Sequence, residues 1–227
     1  MAFLSKTGLV SGLGLIFDLD GVIVDSNPIH SNIWRVYLRR YGIEAPGDFD
    51  QKMFGRRNDE IVRGVFGADL DPAEVLRRGA AKEALYREVM GPVLKEHLVP
   101  GLVAFLERHR SVPMGVATNA EPANADFVLD TADVRRYFRE VVDGDDVSRP
   151  KPDPEIYLRA AELLGLPPAN CIVFEDSLTG VEAARAACSR VVALKTTHDQ
   201  LPNVELSIRD FLDAELEPWL SRQRPIG

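Results

Sequence analysis

Apolar residues in this chain gather in short unbroken runs that stop abruptly at polar or acidic positions. Residues 13–17 are closed by Asp18, residues 112–117 by Thr118-Asn119, residues 171–174 by Glu175-Asp176, and residues 191–194 by Lys195-Thr196. Runs of this length read as buried strands. Helical periods separate them: 102–109, 123–138 with a break near Asp133, 154–164, and 178–187. Pro154 suits a first helical turn, Gly165 a stop and Ser177 a cap. Strands alternating with helices predict an α/β fold, a parallel sheet with helices on both faces. The polar strand ends would then meet along one edge of the sheet.

Residues 28–99 break this rhythm. They hold no convincing strand and three amphipathic stretches, 29–41, 58–66 and 72–90. The expected organisation is a discontinuous core of residues 1–27 and 99–227 with an inserted helical domain over residues 28–98. Asn27-Pro28 and Pro100-Gly101 are the candidate hinges. Residues 1–10 read as a loose extension, and the tail after Trp219 as frayed.

Composition narrows the function classes. With 45% hydrophobic residues, 227 residues can build a full core, and the formal net charge is -8. An acidic chain is a poor match for nucleic acid or an anionic membrane surface. No apolar stretch approaches the roughly 20 residues of a membrane-spanning helix. The expected location is the cytoplasm, and Cys171 and Cys188 read as two buried thiols in a reducing compartment. The expected partner is a small molecule, and the expected assembly is a monomer, with a homodimer as the alternative.

The string Phe17-Asp18-Leu19-Asp20-Gly21 carries the strongest chemical signal. Two carboxylates two residues apart leave an extended chain on the same side. Such a pair repels unless it shares a proton or a cation. A hard dication such as Mg2+ suits all-oxygen ligands. Thr118 and Asn119 offer a hydroxyl and an amide at the second strand end, and Glu175-Asp176 add carboxylates at the third. Lys151 lies in Arg149-Pro150-Lys151-Pro152-Asp153-Pro154, where three prolines stiffen the loop and fix its charge.

These residues resemble the haloacid dehalogenase-like superfamily, in its branch of phosphatases and beta-phosphoglucomutase-like enzymes. FDLDGVIVDS (17–26), ATN (117–119), RPKPDP (149–154) and FEDSLTGVEAARAA (174–187) carry the likeness. It implies a Rossmann-like core with a helical cap, and a magnesium-dependent phosphatase acting on a small phosphorylated metabolite. Asp18 would be the nucleophile that forms an aspartyl-phosphate, and Asp20 the general acid and base. The metal would be held by Asp18, the backbone carbonyl of Asp20 and Asp176, with Glu175 binding directly or through water. Lys151 would offset phosphoryl charge; Thr118 and the backbone amides near Leu19 and Asn119 would hold phosphoryl oxygens. Asp20 argues against dehalogenation, since the dehalogenases of the superfamily lack an acid there.

Substrate choice would fall to the cap. His30, twelve residues after Asp18, has the spacing of a histidine that contacts the general acid in the mutase-like branch. Beta-phosphoglucomutase carries a lysine directly before the cap-loop glycine and an arginine three residues after it; here those places hold Phe54 and Asn58. That departure disfavours a mutase, which must grip a second phosphate. Arg56 or Arg57 remains a candidate for that grip, or for a substrate carboxylate or phosphate. The alternatives are a phosphosugar mutase, a phospho-accepting signalling domain and a catalytically silent binding protein. The spacing of Asp18 and Asp20 and the insert disfavour the signalling domain.

Overall fold

A computed structural model describes residues 12–226; the extension expected over residues 1–10 lies outside the described residues. Six strands form one parallel sheet: β1 (Gly14–Phe17), β2 (Met114–Ala117), β3 (Glu140–Val142), β4 (Cys171–Glu175), β5 (Arg190–Leu194) and β6 (Leu206–Ile208). Their order is β3-β2-β1-β4-β5-β6. The expected strand runs became β1, β2, β4 and β5. The two strands absent from the sequence pattern, β3 and β6, are the sheet edges. Each has three residues and is only half-buried at its start, so it needs no apolar run.

The chain leaves β1 into α1 (Asn27–Arg39), α2 (Phe49–Met53), α3 (Asn58–Phe66) and α4 (Pro72–Met90), then reaches β2 through α5 (Leu102–Arg108). Beyond β2 come α6 (Pro122–Thr131), α7 (Glu155–Leu163), α8 (Leu178–Ala186) and α9 (Leu216–Ser221). The break expected near Asp133 is present: α6 ends at Thr131 and Asp133 turns left-handed, at φ 58°. Ser177 caps α8 by accepting the Gly180 N–H at 3.0 Å.

Alternate side chains of each strand enter different cores, as the two-residue period requires. Leu15, Phe17, Ile172, Phe174 and Val192 pack with Phe105, Val128 and Leu220 on one face. Ile16, Val173 and Val191 pack with Ile156, Tyr157, Ala160 and Val181 on the other. A separate cluster of Trp34, Tyr37, Leu38, Phe49, Met53, Ile61, Val62 and Val75 holds the helical insert together. The insert leaves and returns through adjacent positions: Val24 bridges Leu98, and Ile23 O accepts the Val99 N–H at 3.1 Å. Among the described residues, no helix is long and apolar enough to cross a membrane.

Two local expectations are corrected. The tail after Trp219 is not frayed: α9 runs to Ser221, and the Ile226 N–H donates to Asn170 Oδ1 at 2.6 Å. Arg190 adds a bond to the Arg224 carbonyl at 2.6 Å. Nor are both thiols buried: Cys171 is, but Cys188 sits exposed in a left-handed turn beyond α8, at φ 63°.

The Phe17 ring anchors the strand end that precedes Asp18. It stacks on Phe174 at 4.8 Å between centroids and meets Phe138 edge-on at 5.6 Å. Phe105 and Phe211 lie about it at 6.2 and 6.1 Å. Phe17→Ala should therefore lower unfolding stability by about 3–5 kcal/mol, read by urea denaturation. A loss below about 1 kcal/mol would mean the cluster collapses freely around the gap.

Candidate active site

β1 is flanked by β2 and β4, so its end lies where the strand order reverses. Asp18, Thr118 and Glu175-Asp176 come off these three neighbouring strands. A tight turn brings the chain back at once: the Gly21 N–H donates to Val24 O at 2.7 Å. Gly21 takes φ 76°, and a Cβ there would lie 1.8 Å from Asp176 Oδ2, so only glycine fits.

Lys151 is the hub of the site. Its ammonium, on a residue only 2% exposed, donates to Asp18 Oδ1 at 2.8 Å, Glu175 Oε1 at 2.7 Å and the Ala117 carbonyl at 3.0 Å. Asn119 Oδ1 holds the Lys151 main chain at 3.2 Å, while Asn119 Nδ2 donates to the Gly55 carbonyl of the insert at 2.8 Å. Both oxygens of Glu175 accept hydrogen bonds. Tyr157 OH joins Lys151 on Oε1, and the Asp176 N–H, Ser177 N–H and Ser177 Oγ fill Oε2. Asp176 Oδ2 accepts from Asn27 at 2.9 Å and from Thr197 Oγ1.

Asp18, Glu175 and Asp176 are all buried and bring carboxylate oxygens within 4.8 Å of one another, the one such acidic group among the described residues that could hold a metal ion. Three carboxylates face a single ammonium, so the donor set fits a hard dication. The protonation preferences reflect the deficit. Burial pushes Asp18 up to about 7 against the pull of Lys151, with Glu175 adding to the rise. Burial, then Glu175 and Asp18, push Asp176 well above the usual carboxylate range. Burial also opposes charge on Lys151, but Asp18 and Glu175 outweigh it and hold the ammonium above its ordinary value.

Asp20 sits apart from this trio. Ser26 Oγ donates to its Oδ1, and His30 Nε2 lies 3.4 Å away. Burial raises its carboxyl, yet His30, Ser26 and Lys82 more than offset that and keep it low. His30 stacks on Tyr86 at 3.9 Å, and its Nδ1 meets Lys82 Nζ at 2.7 Å. Lys82 in turn donates to Glu83 Oε1 at 2.7 Å.

A pocket between sheet edge and insert is lined by Asp18, Asp20, His30, Thr118, Asn119, Lys151 and Asp176, with Arg56, Lys82 and Glu83 from the insert; it encloses about 70 Å³. It brings the sequence-predicted residues together except Glu175, which lies behind Lys151, and Arg57. Arg57 does not line the pocket; it faces Asp145 of the core at 3.7 Å. Arg56 lines the pocket, is exposed, and has no carboxylate partner among the described residues. Sequence reasoning missed Lys82, Glu83, Asn124, Tyr157 and Thr197. For the first two a signal existed: Val75, Gly79, Lys82, Glu83, Tyr86 and Met90 share the buried face of α4. A Lys-Glu pair interrupting an apolar stripe marks a buried polar site.

A model of haloacid dehalogenase-like hydrolases matches residues 14–187. Fructose-1-phosphate phosphatase YqaB of Escherichia coli is 36% identical over 77% of this chain and 92% of that protein. Beta-phosphoglucomutase of Bacillus subtilis is 28% identical over 89% of this chain and 92% of its own length. The crystal structure of beta-phosphoglucomutase from Clostridium difficile superposes with a TM-score of 0.81 at 26% identity, covering 92% of this chain and 96% of that one.

The crowded acids make a pH prediction. The folded-state value of Asp18, about 7, lies above its ordinary 3.8. Its contribution to stability is therefore present in acid and is lost as pH rises through about 7; Asp176 shifts in the same direction. A saturating divalent cation, which binds the ionised forms, should raise Tm by about 5–10 °C at pH 8. At pH 5 it should raise it by less than half as much. Equal shifts at both pH values would show that the trio does not take the cation.

Proposed function

The chain belongs to the haloacid dehalogenase-like hydrolases, and within that family we propose that it is a magnesium-dependent phosphatase of small phosphomonoesters, sugar phosphates above all, acting through an aspartyl-phosphate on Asp18. The observation that carries this reading is the grip of Lys151 on one oxygen of Asp18. Asp18 Oδ2 takes no hydrogen bond among the described residues and lies on a residue that lines the pocket. A carboxylate fixed in orientation, with one oxygen unengaged, is a positioned nucleophile.

The residues that would hold magnesium are Asp18, Asp176, the main-chain carbonyl of Asp20 and, directly or through water, Glu175. When bound, the ion supplies positive charge to the phosphoryl oxygens. Lys151, bound to Asp18 Oδ1, supplies a further positive charge beside it, and Thr118 adds a hydroxyl to the same pocket. Asp18 attacks phosphorus while the bond to the leaving oxygen breaks, and Asp20 delivers a proton to that oxygen. Asp20 then takes a proton from water as it attacks the aspartyl-phosphate, and phosphate leaves with Asp18 restored. The low carboxyl of Asp20 beside His30 suits the second step. Entry of an anionic phosphoryl group raises it towards the acid form that the first step needs.

The helical insert acts as a cap in this reading. It closes the pocket through the Gly55 carbonyl on Asn119 and through Arg87, which reaches Glu121 at 2.8 Å and Asn124 at 2.6 Å. The name of the Escherichia coli relative supports a sugar phosphate as substrate. The beta-phosphoglucomutase relatives keep a phosphosugar mutase as the second reading.

Steady-state kinetics with sugar 1-phosphates and magnesium test both. Inorganic phosphate is the expected product; an isomerised sugar phosphate in its place would overturn the hydrolase reading in favour of the mutase. Asp20→Asn should lower kcat by at least about 100-fold. Near wild-type turnover in that variant would refute the acid-base role of Asp20.

A further inference from the structure

Glu83 is the acid of the pocket wall that the reaction does not use. It is 3% exposed, sits on α4 of the insert and lines the pocket opposite the strand ends. Its Oε1 accepts from Lys82 at 2.7 Å and from Asn58 Nδ2 at 2.6 Å, and its Oε2 accepts from Asn124 Nδ2 at 2.6 Å. Asn58 belongs to the insert and Asn124 to α6 of the core, so the carboxylate joins both sides of the pocket.

The hydrogen-bonding capacity of this group is not exhausted. A carboxylate has about four acceptor sites, and three are taken here. Each asparagine amide has two N–H groups and donates one to Glu83, while Asn58 Oδ1 takes no hydrogen bond among the described residues. Spare acceptors beside spare donors match a hydroxyl group, which both donates and accepts. A phosphate at neutral pH mainly accepts, and it would meet a buried negative charge already balanced by Lys82. Arg56, the pocket-lining cation without a carboxylate partner among the described residues, is exposed to solvent.

We propose that Glu83, with Asn58 and Asn124, is the specificity-determining group of this pocket, reading hydroxyls of a polyhydroxylated monophosphate and turning away a second phosphate. The proposal rests on the phosphatase reading for the place of the first phosphate. It explains why the cap-loop positions held by Phe54 and Asn58 need no cation: the far wall is built for neutral oxygen.

Binding, rather than turnover, separates this proposal from the reaction. In the Asp18→Asn protein with magnesium, calorimetry compares fructose 1-phosphate with fructose 1,6-bisphosphate, which shares its carbon skeleton. The monophosphate should bind at least about 10-fold more tightly. Adding Glu83→Gln should weaken the monophosphate by about 10- to 100-fold and collapse the preference. Equal affinities before the second change, or an unaltered preference after it, would overturn the proposal. Should Glu83→Gln not fold by circular dichroism, Asn58→Ala should move the preference the same way by about 3- to 10-fold, and an unmoved preference there counts equally against it. If the preference follows Glu83 while the wild-type protein releases no phosphate from any phosphomonoester, the phosphatase reading fails and the recognition stands.

Discussion

Charge balance around one ammonium group governs the active end of the sheet. Lys151 ties Asp18 to Glu175, so two strands and the loop before α7 converge on a single Nζ. Burying one lysine against three acids leaves a deficit that protons or a cation must fill. The surroundings are arranged around that deficit. Tyr157, Ser177 and two backbone N–H groups hold Glu175 ionised, while Asn27 and Thr197 steady Asp176. Loss of the lysine would leave adjacent buried carboxylates without the ammonium that offsets their charge.

A second charged network lies across the pocket. Asp20, His30, Lys82 and Glu83 form a chain from the turn after β1 to α4, with the two acids at its ends and His30 and Lys82 between them. This wall of the chamber thus pairs its acids with His30 and Lys82, whereas the strand-end wall sets three acids against Lys151 alone; Arg56 lies at the rim. That division gives the two aspartates different surroundings although one residue separates them. Asp18 is pushed towards its neutral form and Asp20 towards its ionised form.

The strand-end edge of the candidate site was legible because buried parallel strands leave unbroken apolar runs, and beyond three of them lie Asp18, Thr118, Asn119 and Asp176 of the pocket. β3 and β6 left no such trace, being half-buried edges of three residues. The tail was misread because its anchors are main-chain groups paired with Asn170 and Arg190, which composition cannot register. Arg56 and Arg57 looked equivalent in sequence; both precede α3, but Arg57, the residue next to it, faces Asp145 while Arg56 lines the pocket. Lys82 and Glu83 escaped because ion pairs on helices are usually solvated, and only the apolar register around them marks these as buried.

The bridge between Val24 and Leu98 gives the molecule a modular character. A segment whose two ends meet costs the host sheet little, since loop-closure entropy grows only slowly with the length between them. The helices between those ends can be lengthened, shortened or exchanged as a cassette without rethreading any strand. One continuous stretch thus supplies Arg56, Asn58, Lys82 and Glu83 to the pocket, while Asp18, Glu175 and Asp176 lie outside it.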